Sequence, residues 1–467
     1  MNFLTPQLQN MLNSPPHRPN NHYEQIFFSA GEPSGDAHAA SLIKEIRSRN
    51  PLIRCAGYGG PLMEQAGMEL HQDLTKKAVM FLGIAASQIY SFYKLYKQTR
   101  KYFSKNRVKA VVLVDYPGFN WWVARAAKQS GIPVYYFMPP QLWAWGGWRV
   151  RKMRRYVDYV FTTLPFETKW FHDHGCHVIE IGHPFLEEAK HHKVDLSFVE
   201  GLKSDKQPIL TVLPGSRDQE IAHNFGDLLN VVKKVRLEAP AVRPMIAAFN
   251  QKHADRINQI LSEHEMAVPV YVGQTQELIR AAHFALCVSG SVTMELLANH
   301  VPTVVYYKIP KFAHYVQRFF RRTRYITLVN LLAVEHFSPG SPYYPKDMKV
   351  IPAYPTERDI DDMLFPEFLA SGDMSEDAAD YLVAWLNHPE HYDLCREKLQ
   401  QLHKSLDTAT NPFGIAADAI LKQIPGVEHN DVQDHDPINE AVPEQDHNTE
   451  VAAWPPSNEI QYPKITF

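Results

Sequence analysis

Four short segments, three of them with small hydroxyl residues, combine glycine with ionisable groups at places where a strand should give way to a helix. Ser29-Ala30-Gly31-Glu32-Pro33-Ser34-Gly35-Asp36 follows an apolar run and precedes an amphipathic one. Its glycines permit a tight turn and close approach of a ligand, and the helix beyond offers unpaired amides. An anion or a sugar could therefore dock beside Glu32, Ser34 and Asp36, although a plain turn capped by Ser34 or Asp36 explains the same letters. The segment matches neither the dinucleotide fingerprint nor the Walker loop. Asp115 ends the most apolar run of the first half and precedes Tyr116-Pro117-Gly118-Phe119-Asn120. A carboxylate there points into a cleft whose apolar walls raise its pKa toward a general base's working range; a turn-capping Asp before Pro117 is the alternative.

The second half repeats the pattern twice. In Leu213-Pro214-Gly215-Ser216-Arg217-Asp218-Gln219-Glu220, Gly215, Ser216 and the amides after them form an anion-binding turn. Arg217 adds a fixed fork of donors suited to a diphosphate. The competing reading is a surface Arg on a capped helix. In Val288-Ser289-Gly290-Ser291-Val292-Thr293-Met294-Glu295, Ser289, Gly290 and Ser291 offer amides to phosphate. Glu295, one turn in, can accept hydrogen bonds from both hydroxyls of a ribose, or serve merely as a capping partner. Together these two segments describe a nucleoside diphosphate site. With Arg217 and helix dipoles at hand the diphosphate needs no metal, and no cofactor is expected. His172, His174, His177, His191 and His192 fit no common ligand spacing, and Asp359, Asp361 and Asp362 lie in an irregular stretch.

The elements that must position these segments are visible as short apolar runs alternating with longer amphipathic ones, the pattern of parallel sheets covered by helices. Strands are expected at 25–29, 53–57, 110–115, 134–138, 159–163 and 178–181, and after a polar linker near 190–206 again at 209–213, 244–248, 268–272, 284–288 and 303–307. The fold class is α/β: two doubly wound, Rossmann-like domains facing a cleft, with every motif at a strand's carboxyl end. A chain of 467 residues with 45% hydrophobic content supplies two ordinary cores. The expected division is a disordered extension at 1–22, a first domain at 23–200 and a second at 201–400 with an insertion at 335–364. A helix at 401–425 packs back through Ile415, Ala416, Ala419, Ile420 and Ile424, before a disordered acidic tail at 426–467.

Residues 428–467 carry a local charge of −8, which leaves +5 for residues 1–427 of a chain whose net charge is −3. That balance suits anionic small molecules or an anionic membrane surface and is too weak to argue for nucleic acid. Cys55, Cys176, Cys287 and Cys395 have no short spacing and read as reduced thiols of a cytoplasmic protein; residues 1–21 lack a secretory signal's apolar core. The uncharged run 78–93 is too short and too polar to span a membrane, leaving a buried helix or an interfacial segment. Basic and aromatic residues interleave at 143–155 and 308–324, which a lipid surface, a solvated face or nucleic acid would each predict.

In order along the chain, A-G-E-P-S-G-D (30–36), G-G-P-L-M (59–63), D-Y-P-G-F-N (115–120), W-A-W (143–145), L-P-F-E (164–167), I-G-H-P (181–184), L-P-G-S-R (213–217), S-G-S-V-T-M-E (289–295) and N-L-L-A (330–333) resemble the lipid-A-disaccharide synthase family of GT-B-fold glycosyltransferases. The resemblance implies an inverting transfer of 2,3-diacylglucosamine from its UDP derivative onto the 6-hydroxyl of 2,3-diacylglucosamine 1-phosphate, releasing UDP. It implies Asp115 as the essential acid, Arg217 and Glu295 as donor-site residues, and Asn330 beside the cleft. It makes 78–93 the membrane-facing region and places the protein peripherally on the inner face of the cytoplasmic membrane, with a homodimer compatible. Gly118 stands where the family usually carries a second acid, Gln141 and Gly146 stand where Ser and Arg are usual, and 334–364 replaces a short Gly-Arg turn. The rival readings are a UDP-sugar 2-epimerase, a transferase to another lipid, and a membrane-docked nucleotide-binding protein without turnover.

Overall fold

The structure, a computed structural model, describes residues 23–75, 86–191, 194–310, 321–337, 363–406 and 411–424. The expected extension at 1–22, most of the insertion and the acidic tail lie outside the described residues, as do Asp359, Asp361 and Asp362. The first half runs β1 (Gln25–Ala30), α1 (Pro33–Arg49), β2 (Arg54–Gly59), α2 (Pro61–Gln65), β3 (Glu69–Asp73), α3 (Ala86–Phe103), β4 (Val108–Val114), α4 (Pro117–Gln129), β5 (Val134–Phe137), α5 (Val150–Tyr156), β6 (Tyr159–Thr162), α6 (Pro165–Asp173) and β7 (Val178–Glu180). The chain crosses through α7 (Pro184–His191) and α8 (Leu196–Lys203) into β8 (Ile209–Leu213), α9 (Asp218–Glu238), β9 (Arg243–Ala248), α10 (Gln251–Glu263), β10 (Val270–Val272), α11 (Thr275–Ala281), β11 (Phe284–Cys287), α12 (Val292–Ala298) and β12 (Thr303–Lys308). It finishes with α13 (Leu328–Phe337), β13 (Glu367–Ala370), α14 (Ser375–Asn387), α15 (Pro389–Leu406) and α16 (Pro412–Lys422).

Two parallel sheets result, ordered β3-β2-β1-β4-β5-β6-β7 and β10-β9-β8-β11-β12-β13. Their central strands are covered on both faces, which is why β1 and β8 are buried along their whole length and read as near-continuous apolar runs. In each sheet the chain first winds outward to one edge and then jumps back: β4 lands beside β1, and β11 beside β8. Those two junctions are the topological switch points, where strand-end loops part and leave a crevice. All four candidate segments leave from the strands that flank them.

Helix starts follow local chemistry. Proline occupies the first turn of α1, α2, α4, α6 and α16, where its missing N–H costs nothing. The side chains of Asp195, Asn250 and Asn411 accept from the first amides of α8, α10 and α16. Helix α16 returns to the first half and packs on α1. The stripe it buries is Phe413, Ala416, Ala417, Ile420 and Leu421, followed by Ile424, each large side chain contributing about 1.5–3 kcal/mol. This shifts the expected register, since Ile415 is exposed. Arg49 reaches across to Asp418 at 2.6 Å to fix the contact.

Of the apolar run 78–93, residues 78–85 lie outside the described residues. From Ala86 onward the chain is the helix α3, which packs on α4 and buries Leu95 and Tyr96 while leaving Tyr93 exposed. Among the described residues no helix is long and apolar enough to cross a membrane.

Candidate functional site

The first switch point is built from interlocking loops. Immediately after β4, Asp115 and Tyr116 both take left-handed backbone, with φ of 44° and 45°. For residues carrying a Cβ this costs about 1–2 kcal/mol each, so surrounding contacts must hold it in place. They do. The Asp115 carbonyl accepts from the Asn120 amide at 2.7 Å and from the Tyr136 hydroxyl at 2.7 Å, which uses both of its lone pairs. The same Asn120 amide also donates toward the carbonyls of Ser29 and Val114, and its oxygen accepts the Ser29 hydroxyl at 2.7 Å. Strands β1 and β4 are thus tied at their ends. Gly31 completes the lock: a Cβ there would sit 2.2 Å from the Tyr116 ring, so only glycine lets that ring lie against the β1 loop.

Burial pushes the Asp115 carboxyl up to about 6, and the nearby Glu32 carboxylate adds to the rise; the Tyr116 amide, His38 and Arg217 pull the other way. Glu32 is the N-cap residue of α1, and its side chain makes no capping bond. Ser34 is exposed in the first turn of the same helix. Asp36 is different from expectation. It is 2% exposed, and its carboxylate accepts the amides of Gly60, Leu62 and Met63 at 2.9–3.1 Å. Its oxygens are therefore committed to the start of α2, and it organises the G-G-P-L-M turn rather than facing a ligand.

At the second switch point, Gly215 turns with φ of 108° and brings the chain over Glu220, whose carboxylate a Cβ at 215 would overlap. Glu220 accepts the amides of Ser216 and Arg217 at 3.0 and 3.2 Å with one oxygen and the Arg217 guanidinium at 2.8 Å with the other. This corrects the picture of an open amide nest: those two amides are occupied from within. What Gly215 and Ser216 supply is the turn, and what faces outward is the Arg217 side chain, 71% exposed while Glu220's is 8% exposed. Tyr307, at the end of β12, feels both charges; burial first and Glu220 second push its hydroxyl up.

The neighbouring loop after β11 carries Ser289 half-buried and Gly290 and Ser291 exposed, and Glu295 sits in the first turn of α12. Glu295 accepts from the Gln276 amide of α11. Asn330 is carried by α13, which packs on the Glu295-bearing α12. It is fully buried, donating to the Phe365 carbonyl and Glu367 and accepting the amides of Leu364 and Phe365. All its polar capacity goes into seating α13 against the approach to β13.

The two halves meet over these loops. Arg217 lies within Coulomb reach of both Glu32 and Asp115, and the Arg322 amide donates to the Ala144 carbonyl of W-A-W at 3.0 Å. Asp115, Glu32 and Arg217 are thus gathered across the cleft, with Glu295 at the neighbouring strand end. Among the described residues no group of three His, Cys, Asp or Glu could hold a metal.

Several residues that shape the site were not among those singled out. Asn120 and Tyr136 hold Asp115, and the one available signal was a polar residue between Phe119 and Val123 on an otherwise apolar helix face. Glu220 holds Arg217, and its place three residues after Arg217 is the spacing of a capping acid. Glu167 accepts the Trp143 indole at 2.9 Å and the Thr163 amide, tying W-A-W to L-P-F-E; burial pushes its carboxyl to about 7 against those two hydrogen bonds. Gly118 is exposed with nothing within 4 Å of a Cβ, so the space for an acid is present although the acid is not.

Residues 26–341 match the family model described as lipid-A-disaccharide synthetase. The lipid-A-disaccharide synthase 1 of Legionella pneumophila (strain Paris) is 31% identical over 319 residues, covering 68% of this chain and 83% of the relative. The lipid-A-disaccharide synthase of Coxiella burnetii (strain Dugway 5J108-111) is 31% identical over 316 residues, covering 67% and 82%. Among solved structures, an S. aureus MnaA–UDP co-structure superposes with a TM-score of 0.51 at 13% identity over 86% of this chain and 96% of that one. A putative UDP-N-acetylglucosamine 2-epimerase from Listeria monocytogenes gives 0.53 at 11% identity over 86% and 95%. At such identities the structural matches speak to the two-domain fold alone.

Proposed function

The chain belongs to the lipid-A-disaccharide synthase family, and from that premise we propose that it transfers 2,3-diacylglucosamine from UDP to the 6-hydroxyl of 2,3-diacylglucosamine 1-phosphate. It is a UDP-sugar-dependent glycosyltransferase of lipid A biosynthesis. The observation that carries the finer reading is Asp115: a carboxyl raised to about 6, on a strand end across the cleft from Arg217. A base of that strength is ionised at neutral pH yet still able to take a proton. In this scheme Asp115 accepts the proton of the acceptor's 6-hydroxyl as that oxygen attacks the donor's anomeric carbon from the face opposite UDP. The bond to the diphosphate breaks, the anomeric configuration inverts, and Arg217 meets the negative charge left on UDP. Glu295 accepts from the ribose hydroxyls.

Incubation with both acylated glucosamines and mass spectrometry of the products tests this. Disaccharide and UDP in equal amounts support it; an epimerised UDP-sugar, or UDP without disaccharide, contradicts it.

Peripheral docking on an anionic membrane is part of the same proposal. The stretch 143–155 has no acid, and Trp145 and Trp148 are 57% and 70% exposed. Arg149 lies over the Trp145 ring at 4.1 Å, and Arg151, Lys152, Arg154 and Arg155 are exposed beside them. Exposed indoles with cations suit a lipid interface. Sedimentation with anionic vesicles should be salt-sensitive and weaken in Trp148→Ala; binding equal to neutral vesicles would count against it.

A further inference from the structure

We propose that Asn120 and Tyr136 are positioning residues for the transfer reaction: together they hold the Asp115–Tyr116 link in its left-handed conformation and so aim the Asp115 carboxylate across the cleft. The argument rests on reading Asp115 as the base. Two consecutive non-glycine residues at φ of 44° and 45° do not persist on local preference, because extended or right-handed backbone is favoured at both. The peptide between them is fixed through its carbonyl, which receives one hydrogen bond from each side: the Asn120 amide from α4 and the Tyr136 hydroxyl from β5. Both donors are fully buried, so water cannot replace either. Each is oriented in turn. The Ser29 hydroxyl of β1 donates to the Asn120 oxygen, leaving its nitrogen pointed at the carbonyls of Ser29, Val114 and Asp115. The Tyr136 ring packs against Trp121 at 5.8 Å.

The clamp therefore spans three adjacent strands and the helix above them, and it grips the backbone of the catalytic residue without touching its carboxylate. Its effect should appear in turnover and not in donor binding, because Arg217 and Glu220 belong to the other half.

Tyr136→Phe keeps the ring and removes only the hydroxyl. The expected result, measured with the UDP-sugar and acylated acceptor, is a fall of about 3- to 10-fold in kcat with the donor KM unchanged. Ser29→Ala, which removes the hydroxyl orienting Asn120, should show the same split at smaller size, and Asn120→Ala a larger loss. The decisive readout is a cycle: added to Asp115→Asn, Tyr136→Phe should cost nothing further, since its only route to the reaction is through that carboxylate. A full kcat in Tyr136→Phe, a donor KM that rises with the fall in kcat, or an undiminished additional loss in the Asp115→Asn background would each overturn the proposal. A full rate in Asp115→Asn removes the base reading and this proposal with it. A slow Asp115→Asn beside a full-rate Tyr136→Phe removes this proposal alone.

Discussion

The two switch points use the same parts, glycine-containing loops between strand and helix that present ionisable residues, yet they are built to opposite ends. At the β1/β4 junction Asp115, the proposed base, sits on strained backbone, partly covered, and is held by buried hydrogen bonds from β1, α4 and β5. At the β8/β11 junction the turn is relaxed by Gly215, secured by one internal carboxylate, and the arginine it presents is mostly in solvent. The difference teaches which half needs precision. A base must meet a particular hydroxyl within hydrogen-bond reach, so its direction is over-determined. A cation that receives a diphosphate can reorient onto it, so exposure and reach suffice.

If that contrast is right, damage at the two points should separate. The largest effect falls on turnover: Asp115→Asn should lower kcat by about 10²- to 10⁴-fold, the usual loss for a missing general base, in a steady-state assay of UDP release. Near-normal turnover would abolish the contrast at its first pole. Next comes Arg217→Ala, where loss of a charge-assisted contact should raise the donor KM by roughly 10- to 100-fold, read from donor titrations at saturating acceptor. An unchanged donor KM would remove the second pole.

A smaller effect concerns pH. As the proposed base Asp115 has to be ionised, so kcat/KM should rise with pH and level off above about 6. Glu32→Gln takes away a like charge that raises the Asp115 carboxyl, and the rising limb should move to lower pH; a limb that stays in place means Glu32 does not act on Asp115. The smallest effect is on stability. The folded chain holds the Asp115 proton more tightly than the unfolded chain does, because the carboxyl rises from its ordinary 3.8 to about 6. Native stability therefore declines as pH rises between those values, and the deficit then stays constant. Asp115→Asn should melt a few degrees higher than wild type at pH 7 to 8, with the gain vanishing below pH 4.

Much of this was legible in the letters, and the exceptions share a cause. Strands buried on both faces announce themselves as apolar runs, so β1, β4, β8 and β11 and the residues at their ends could be located. Edge strand β3 reads Glu-Leu-His-Gln-Asp, with one apolar residue, and β13 follows an irregular stretch; neither carried a pattern to find. Asp115 and Arg217 could be placed at strand ends facing one cleft because position along the pattern fixes that much. The direction in which a polar side chain points was not legible. Asp36 and Asn330 turn inward to backbone amides 24 to 35 residues away, and Asn120 grips a strand 91 residues away. Only the folded chain shows that Glu220 takes the amides a phosphate was expected to use.

The division of labour between the halves is tested most directly by calorimetric titration of UDP into the wild-type protein, Asp115→Asn and Arg217→Ala. The account predicts one dissociation constant for the first two and weaker binding in the third; a loss in Asp115→Asn equal to that in Arg217→Ala would contradict it.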